Sequence, residues 1–328
     1  MIISRTPFRL SFFGGGTDYP VFYREHGGGV LSTTINKYCY ITCRHLPPFF
    51  DHKFRIRYST REETQTVDEI KHPSVRECLK FLQVVDGVEL VHTSDIPAMS
   101  GIGSSSAFTV GFLNALYALK GKMTSKRQLA YEAIHIEQEI LGEHVGSQDQ
   151  VAAAFGGFNH IRFSPNGTVE VHPVTISQER VDRLQECLML CFTGFSRVAN
   201  DIAVEQVRVT ANRTRELEAM RQMVDEALAI LNRDSGDLDD FGRLLHESWC
   251  LKRSLTTKIT NDQIDSIYAT ARGAGAIGGK LCGAGGGGFM QLFVPPERQA
   301  RVKEALKGLL IVPFRFESLG SHIVFYSQ

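Results

Sequence analysis

Residues Pro97 to Ala107, reading PAMSGIGSSSA, place glycines and serines directly ahead of an apolar helical run, Phe108 to Leu119. An alternating stretch, Val88 to Ile96, precedes them, so the order is strand, loop, helix. Glycines let such a loop turn tightly and aim backbone N–H groups at a ligand. Serines add hydroxyls, and the helix start adds the positive end of its dipole. That combination suits an anion, phosphate above all. Pro97, Ser100, Gly101, Gly103, Ser104, Ser105 and Ser106 are therefore candidate phosphate-contacting residues.

Two more glycine clusters flank it in sequence, Gly14 to Gly16 and Gly283 to Gly288. One such cluster reads as a tight turn. Three in one chain, two of them beside strands, supply the density of backbone donors that a nucleotide phosphate cradle needs. Two carboxylates complete the chemistry. Glu137 lies mid-way along a helical stretch, Ser125 to Gly142, and Asp149 follows the turn Gly142 to Gly146. A helix followed by a tight turn can bring Asp149 back toward the loop. Phosphoryl transfer needs a group to orient or deprotonate the attacking hydroxyl, and hard oxygens to hold Mg²⁺. On spacing alone, Glu132, Glu139 and Glu143 compete equally with Glu137.

Rival nucleotide folds fail on particular residues. A P-loop needs G-x-x-x-x-G-K-[ST], but Ala274 and Leu281 stand at two required positions around Gly279-Lys280. A dinucleotide fingerprint begins at Gly101-Ile102-Gly103 but meets Ser106 where its last glycine belongs. Protein-kinase HRD and DFG signatures are absent.

The elements that must position these groups mix without regular alternation. Strands are expected at Ile2–Phe13, Val30–Thr34, Tyr38–Arg44, Phe54–Tyr58 and Val88–Ile96, with a hairpin over Phe158–Val174. Helices are expected near 72–81, 105–119 and 125–142. A second half from Thr175 holds a strand, a helical stretch over 201–232 broken near Arg213, two further helices and a closing strand at Ile323–Tyr326. Such a mixture predicts an α+β protein of two domains, 1–175 and 176–328.

Composition narrows the partners. The 328 residues hold 36 Lys plus Arg against 36 Asp plus Glu, so no basic field favours nucleic acid or a membrane surface. No apolar run is long enough to span a bilayer, and Arg5 and Arg9 interrupt the N-terminal apolar stretch where a signal peptide would need continuity. Seven scattered cysteines without a CxxC pattern point to reduced, buried thiols, hence a cytoplasmic protein.

Together the three motifs resemble the superfamily of galactokinase, homoserine kinase, mevalonate kinase and phosphomevalonate kinase, the GHMP kinases. Pro7-Phe8-Arg9 through Thr17-Asp18-Tyr19 is similar to its first motif, Pro97 to Ser106 to its second and Lys280 to Gly288 to its third. The order matches and the motifs span nearly the whole chain. TPFRLSFFGGGTDYP, with His246-Glu247-Ser248-Trp249 and Leu251-Lys252-Arg253, resembles most the D-glycero-D-manno-heptose 7-phosphate kinase branch, with the fucokinase kinase domain a relative.

The resemblance implies a ribosomal-protein-S5-domain-2-like N-terminal domain and a ferredoxin-like C-terminal one. It implies transfer of the ATP γ-phosphoryl group to the anomeric hydroxyl of a sugar phosphate, giving a 1,7-bisphosphate on the way to nucleotide-activated heptose. Residue by residue, it places Asp149 as the catalytic aspartate, with Arg9 flanking it, and Glu137 and Ser105 as Mg²⁺ ligands. Ser104 lies near the phosphates. Gly15, Gly16, Thr17 and Asp18 meet the sugar, and Gly285 and Gly286 approach nucleotide or sugar from the second domain. Gly14 to Gly16 replace the G-E-H that often precedes T-D in sugar kinases, so galactose is not the expected substrate. A sugar 7-phosphate needs a cation of its own; Arg197 is favoured, since Gly194 and Ser196 could share the phosphate, with Lys252, Arg253 and Lys280 as further candidates. An anomeric kinase for a free sugar such as L-fucose, and a non-catalytic nucleotide-binding protein on the same fold, are the alternatives. A homodimer is compatible with either.

Overall fold

A computed structural model describes residues 1–194, 199–210, 213–233 and 236–327. The chain opens with strand β1 (Ile2–Phe13), helix α1 (Pro20–His26), the long β2 (Gly28–His45), β3 (Phe54–Arg57), β4 (Arg61–Thr64), α2 (Pro73–Phe81) and β5 (Val88–Ser94). It continues through α3 (Ser104–Leu119), α4 (Lys126–His135), α5 (Gln148–Phe155), β6 (Phe158–Phe163), β7 (Val169–Pro173), α6 (Gln178–Glu186) and β8 (Leu188–Phe192). The rest comprises α7 (Ala199–Val209), α8 (Thr214–Leu231), α9 (Asp239–Ser254), α10 (Asp262–Ala274), β9 (Gly278–Leu281), β10 (Phe289–Phe293), α11 (Pro296–Ala305), β11 (Leu310–Val312), β12 (Phe316–Glu317) and β13 (His322–Tyr326).

Two sheets carry the site. The larger runs β13-β1-β2-β5-β3-β4, with the β6–β7 hairpin and β12 also joined to β2. The smaller, antiparallel throughout, runs β11-β8-β10-β9. Helix α3 is apolar nearly all round, and the structure explains why. Residues from Ser106 to Leu116 are all buried, because the helix lies on β1 and β2 and is covered by other helices. It lies close: the Ser4 hydroxyl donates to the Gly111 carbonyl at 2.7 Å.

Three differences from the sequence expectations have physical reasons. First, Val30–Thr34 and Tyr38–Arg44 form one strand, because a register shift opposite Pro7/Phe8 absorbs Asn36 and Lys37. Second, the helix expected over 125–142 is α4 followed by a π-helical turn, Ile136–Ile140, in which the Leu141 N–H donates to the Ile136 carbonyl five residues back. Third, residues 316–326 were expected with the second domain. Instead β12 pairs with β2 and β13 with β1, so the chain returns to the first sheet. Burial has a reason to recruit them: β13 pairs along the outer edge of β1, which would otherwise leave its ladder groups unpaired. The seven cysteines form no disulfide, and all but Cys250 are buried.

Aromatic side chains lock the halves together. Phe12 and Phe13, at the end of β1, are fully buried and meet Phe241 of α9 edge to face, with ring centroids 5.5 and 5.0 Å apart. Phe12 also meets Phe158 of β6 edge to face. Phe12→Ala opens a cavity at this junction, and we expect about 3–5 kcal/mol of destabilisation, read as a lower midpoint in urea unfolding. A loss under about 1 kcal/mol would mean the two halves do not depend on this contact.

Candidate active site

The site forms where β1, the 97–103 loop and the start of α5 converge. Arg9 donates from Nε and Nη2 to the two carboxylate oxygens of Asp149, at 2.7 and 2.8 Å. Its Nη1 donates to the Gly101 carbonyl at 2.8 Å, and its backbone N–H to the Ile102 carbonyl at 3.1 Å. One buried guanidinium thus binds both the aspartate and the loop. Burial alone would lower the Arg9 pKa, but the Asp149 charge and hydrogen bonds outweigh it and hold the group above its ordinary value. Asp149 sits in the first turn of α5, whose dipole favours a carboxylate there. Its side chain keeps 24% of its surface exposed, against 5% for Arg9, so the carboxylate faces open space while its partner does not.

Gly103 caps α3 and lies over this pair: a side chain there would stand 3.3 Å from Arg9 and 3.4 Å from Asp149. The phosphate loop and the candidate catalytic aspartate are therefore neighbours, as the fold-back of the Gly142–Gly146 turn required. Within the loop, Pro97 is exposed and Ser100 fully buried, its hydroxyl without a partner. Ser104 accepts from the Met99 N–H at 3.3 Å and so braces the loop's own turn.

Glu137 is the carboxylate brought to the loop, since it continues the buried face of α4 after Leu129, Ala130, Ala133 and Ile136. Its Oε2 accepts from the Ser106 hydroxyl at 2.8 Å and from the Gln150 amide, while its Oε1 is buried with no partner. The serine it meets is Ser106. Ser105, expected to share a metal with it, is one position round the helix and exposed. Among the competing carboxylates, Glu132 bonds to Tyr117 and Gln128, and Glu143 is only partly buried and contacts no serine of the loop.

In the first glycine cluster, the side chains of Thr17 and Asp18 turn inward. Thr17 is fully buried and its hydroxyl donates to the Gly14 and Gly29 carbonyls, at 2.8 and 3.1 Å. Asp18 is 1% exposed, and its oxygens accept from the Gly16 N–H at 2.9 Å and the Gln148 N–H at 3.2 Å. Gly146 makes this approach possible, since a Cβ there would overlap the Asp18 carboxylate. Burial raises the Asp18 pKa, partly offset by the Gly16 hydrogen bond. As placed, Thr17 pins the turn to β2 and Asp18 pins it to the start of α5. Gly15 and Gly16 form its open rim, with Gly15 beside Gln148 and Ser11.

The third cluster supports the second from behind. Gly101 and Gly283 lie back to back: a Cβ on Gly283 would stand 2.6 Å from the Gly101 Cα. The Phe289 N–H donates to the Ser100 carbonyl at 3.1 Å. Gly285 and Gly286 turn toward Ile259, whose carbonyl accepts from the Gly286 N–H at 2.8 Å.

Sequence reasoning offered Lys252 and Lys280 as phosphate ligands, and the structure buries both. Lys252 Nζ donates to the Leu281 carbonyl at 3.1 Å and to the Gly283 carbonyl, and burial lowers its pKa to about 8. Lys280 Nζ donates to the Phe12 carbonyl at 2.9 Å, and burial together with Lys252 lowers its pKa well below the usual range. Both tie the third cluster in place rather than face a ligand. Arg253 approaches Asp265 at 3.4 Å, and Arg197 lies outside the described residues. Gln150 and Gln291, the latter donating to the Ser11 carbonyl at 2.7 Å, escaped the sequence reading. For Gln291 the signal was a glutamine inside an otherwise apolar run, Phe289 to Val294.

The GHMP kinases N terminal domain model matches residues 71–157, and the GHMP kinases C terminal model matches residues 217–311. A D-glycero-alpha-D-manno-heptose 7-phosphate kinase of Campylobacter jejuni is 33% identical over 319 residues, covering 93% of each chain. A bifunctional fucokinase/GDP-fucose pyrophosphorylase of Arabidopsis thaliana is 23% identical and aligns 90% of this chain with 30% of itself. Among solved structures, a D-glycero-D-manno-heptose 1-phosphate kinase from Bacteroides thetaiotaomicron superposes with a TM-score of 0.82 over all of both chains, at 26% identity. Among the described residues no helix is long and apolar enough to cross a membrane.

Glu137 gives the site a measurable pH signature. Burial pushes its carboxyl up to about 7, despite hydrogen bonds from Ser106 and Gln150. The unfolded value is about 4.3, so between those values the native state holds a proton that the unfolded chain has lost. Native stability therefore falls as pH rises through that window, and the loss is complete above about pH 7. Glu137→Gln removes the ionisation. We expect it to gain on the wild type by up to about 3 kcal/mol between pH 4 and pH 8, in urea unfolding without divalent cations. A difference that does not change with pH would show that Glu137 titrates normally.

Proposed function

The chain belongs to the GHMP kinase family and is a sugar kinase that uses ATP; on that premise we propose that it phosphorylates the anomeric hydroxyl of D-glycero-D-manno-heptose 7-phosphate. The observation that carries the chemistry is the Arg9–Asp149 pair beside the phosphate loop.

Asp149 orients the sugar hydroxyl. Both its oxygens already accept from Arg9, which fixes the carboxylate in direction. Each oxygen retains a second lone pair, and the exposed part of the side chain leaves it reachable. Phosphoryl transfer passes through a loose transition state, so holding the hydroxyl in line matters more than strong basicity. Arg9 serves twice: it positions Asp149 and lends positive charge close to the loop where the phosphoryl group passes. The loop serines and the α3 N-terminus face the ATP phosphates.

A magnesium ion fits the residues present. The unpartnered, buried Oε1 of Glu137 is a hard oxygen next to the loop, and Ser105 and Ser106 offer hydroxyls on the same helix start. Such an ion, when bound, offsets charge on the phosphate oxygens. Ser106 is the hydroxyl already in contact with Glu137, while Ser105 reaches open space from the first turn of α3.

The heptose phosphate assignment rests on the 33% identity with the Campylobacter jejuni enzyme over nearly the whole chain, against 23% with the fucokinase relative. With Lys252 and Lys280 bonded to carbonyls, Arg197 is the cation we assign to the distal phosphate. An ADP-release assay with Mg-ATP decides among sugars. We expect turnover of D-glycero-D-manno-heptose 7-phosphate and none of L-fucose, mannose or galactose. Turnover of L-fucose alone would move the chain to the fucokinase-like reading, and ATP binding without transfer to any sugar would make it non-catalytic. Separately, Asp149→Asn is expected to bind ATP as before and to lose about 10²- to 10⁴-fold in kcat. Near-normal turnover in that variant would remove Asp149 from the reaction.

A further inference from the structure

A cavity of about 310 Å³ opens between the start of β2, the β6–β7 hairpin and α8. Its volume is at the small end of ligand sites, which run from about 300 to 1,000 Å³. None of the loop residues 97–106, Glu137 or Asp149 lines it. Its polar walls are Arg221 and Asp225 from α8, His160 and Arg162 from β6, and His172 from β7. Arg162 and His172 lean on the same exposed carboxylate, Glu170, at 3.6 and 3.3 Å. Arg221 differs. It is half-buried, its Nε is shielded from solvent without an acceptor, and among the described residues it has no hydrogen-bond, ion-pair or ring partner. Even Asp225, one helical turn on, does not pair with it. A guanidinium whose Nε is shielded from water without an acceptor is a standing unmet demand for an anion.

The arrangement is built rather than loose. Leu217 and Val224, on either side of Arg221 along α8, approach Gly16 and Gly14, which seats the helix against the first glycine turn. At the cavity floor Gly29 lies near both His160 and Arg221, with a Cβ there 3.5 Å from His160 Nε2 and 3.9 Å from Arg221 Cγ. The Gly29 N–H and carbonyl both bond to the Thr17 hydroxyl, at 3.1 Å each. A cation is a poor occupant, since no three His, Cys, Asp or Glu among the described residues converge as metal ligands and two guanidiniums line the walls.

We propose that this cavity is a second anion site, which takes the phosphate group of a small phosphate monoester through Arg221, with the His160 and His172 rings as further donors and Arg162 within reach. Guanidinium and imidazole donors set around one space match the oxygens of a phosphate. Because Gly29 is bonded to Thr17, next to Asp18, an occupant there bears on the turn that rims the active site.

The test uses the full chain with its nucleotide site filled by a non-hydrolysable ATP analogue and Mg²⁺, and inorganic phosphate as the probe in isothermal titration. We expect one phosphate to bind, and Arg221→Gln to weaken it by at least about tenfold, as loss of a charge-assisted hydrogen bond implies. His160→Phe should weaken it as well, whereas Asp149→Asn and Arg197→Ala should leave it unchanged. Arg221 has no partner to lose, so Arg221→Gln should melt at the wild-type temperature when phosphate is absent. Absence of binding at millimolar phosphate overturns the proposal. So does binding indifferent to Arg221→Gln, or binding lost in Arg197→Ala, which would place the anion in the sugar site. The outcome does not depend on which sugar is turned over.

Discussion

The guanidinium of Arg9 joins three pieces of chain: the first strand, the 97–103 loop and the start of α5. A buried arginine is tolerable only if its donors are met, and here Asp149 and the Gly101 carbonyl meet them. The pair fixes Asp149 in direction and sets the loop's height above it. Removal of Asp149 would strand the buried charge of Arg9, so the proposed catalytic arrangement and the stability of this corner rest on the same bonds.

Around that centre, backbone carbonyls rather than charges recruit the second half of the chain. Lys252 and Lys280 are buried and cap the carbonyls of Leu281, Gly283 and Phe12. Gln291 does the same for Ser11. These bonds place the third glycine cluster against the phosphate loop, where Gly101 and Gly283 touch through their backbones. The aromatic contacts of Phe12 and Phe13 with Phe241 add the apolar part of the same junction. The loop is thus rigid from behind and open in front, which suits a site that must present fixed donors to phosphate oxygens.

Glu137 continues the buried face of α4, four residues after Ala133, and so lies against Ser106 and Gln150 in the interior. One of its oxygens has no partner in the protein, the condition expected of a group kept for a cation.

Much was legible in the chain itself. Glycine and serine identities and helix and strand periodicity act over a few residues, so the phosphate loop, the apolar run of α3 and the break near Arg213 could all be read locally. Contacts across long stretches of chain could not. Arg9 and Asp149 are 140 residues apart and Lys280 and Phe12 are 268, and no local propensity encodes those meetings. The inward turn of Thr17 and Asp18, the choice of Ser106 over Ser105 as the neighbour of Glu137, and the return of β13 to β1 were decided by packing. Each depends on which face of an element is buried, and that is fixed only when a distant element closes over it.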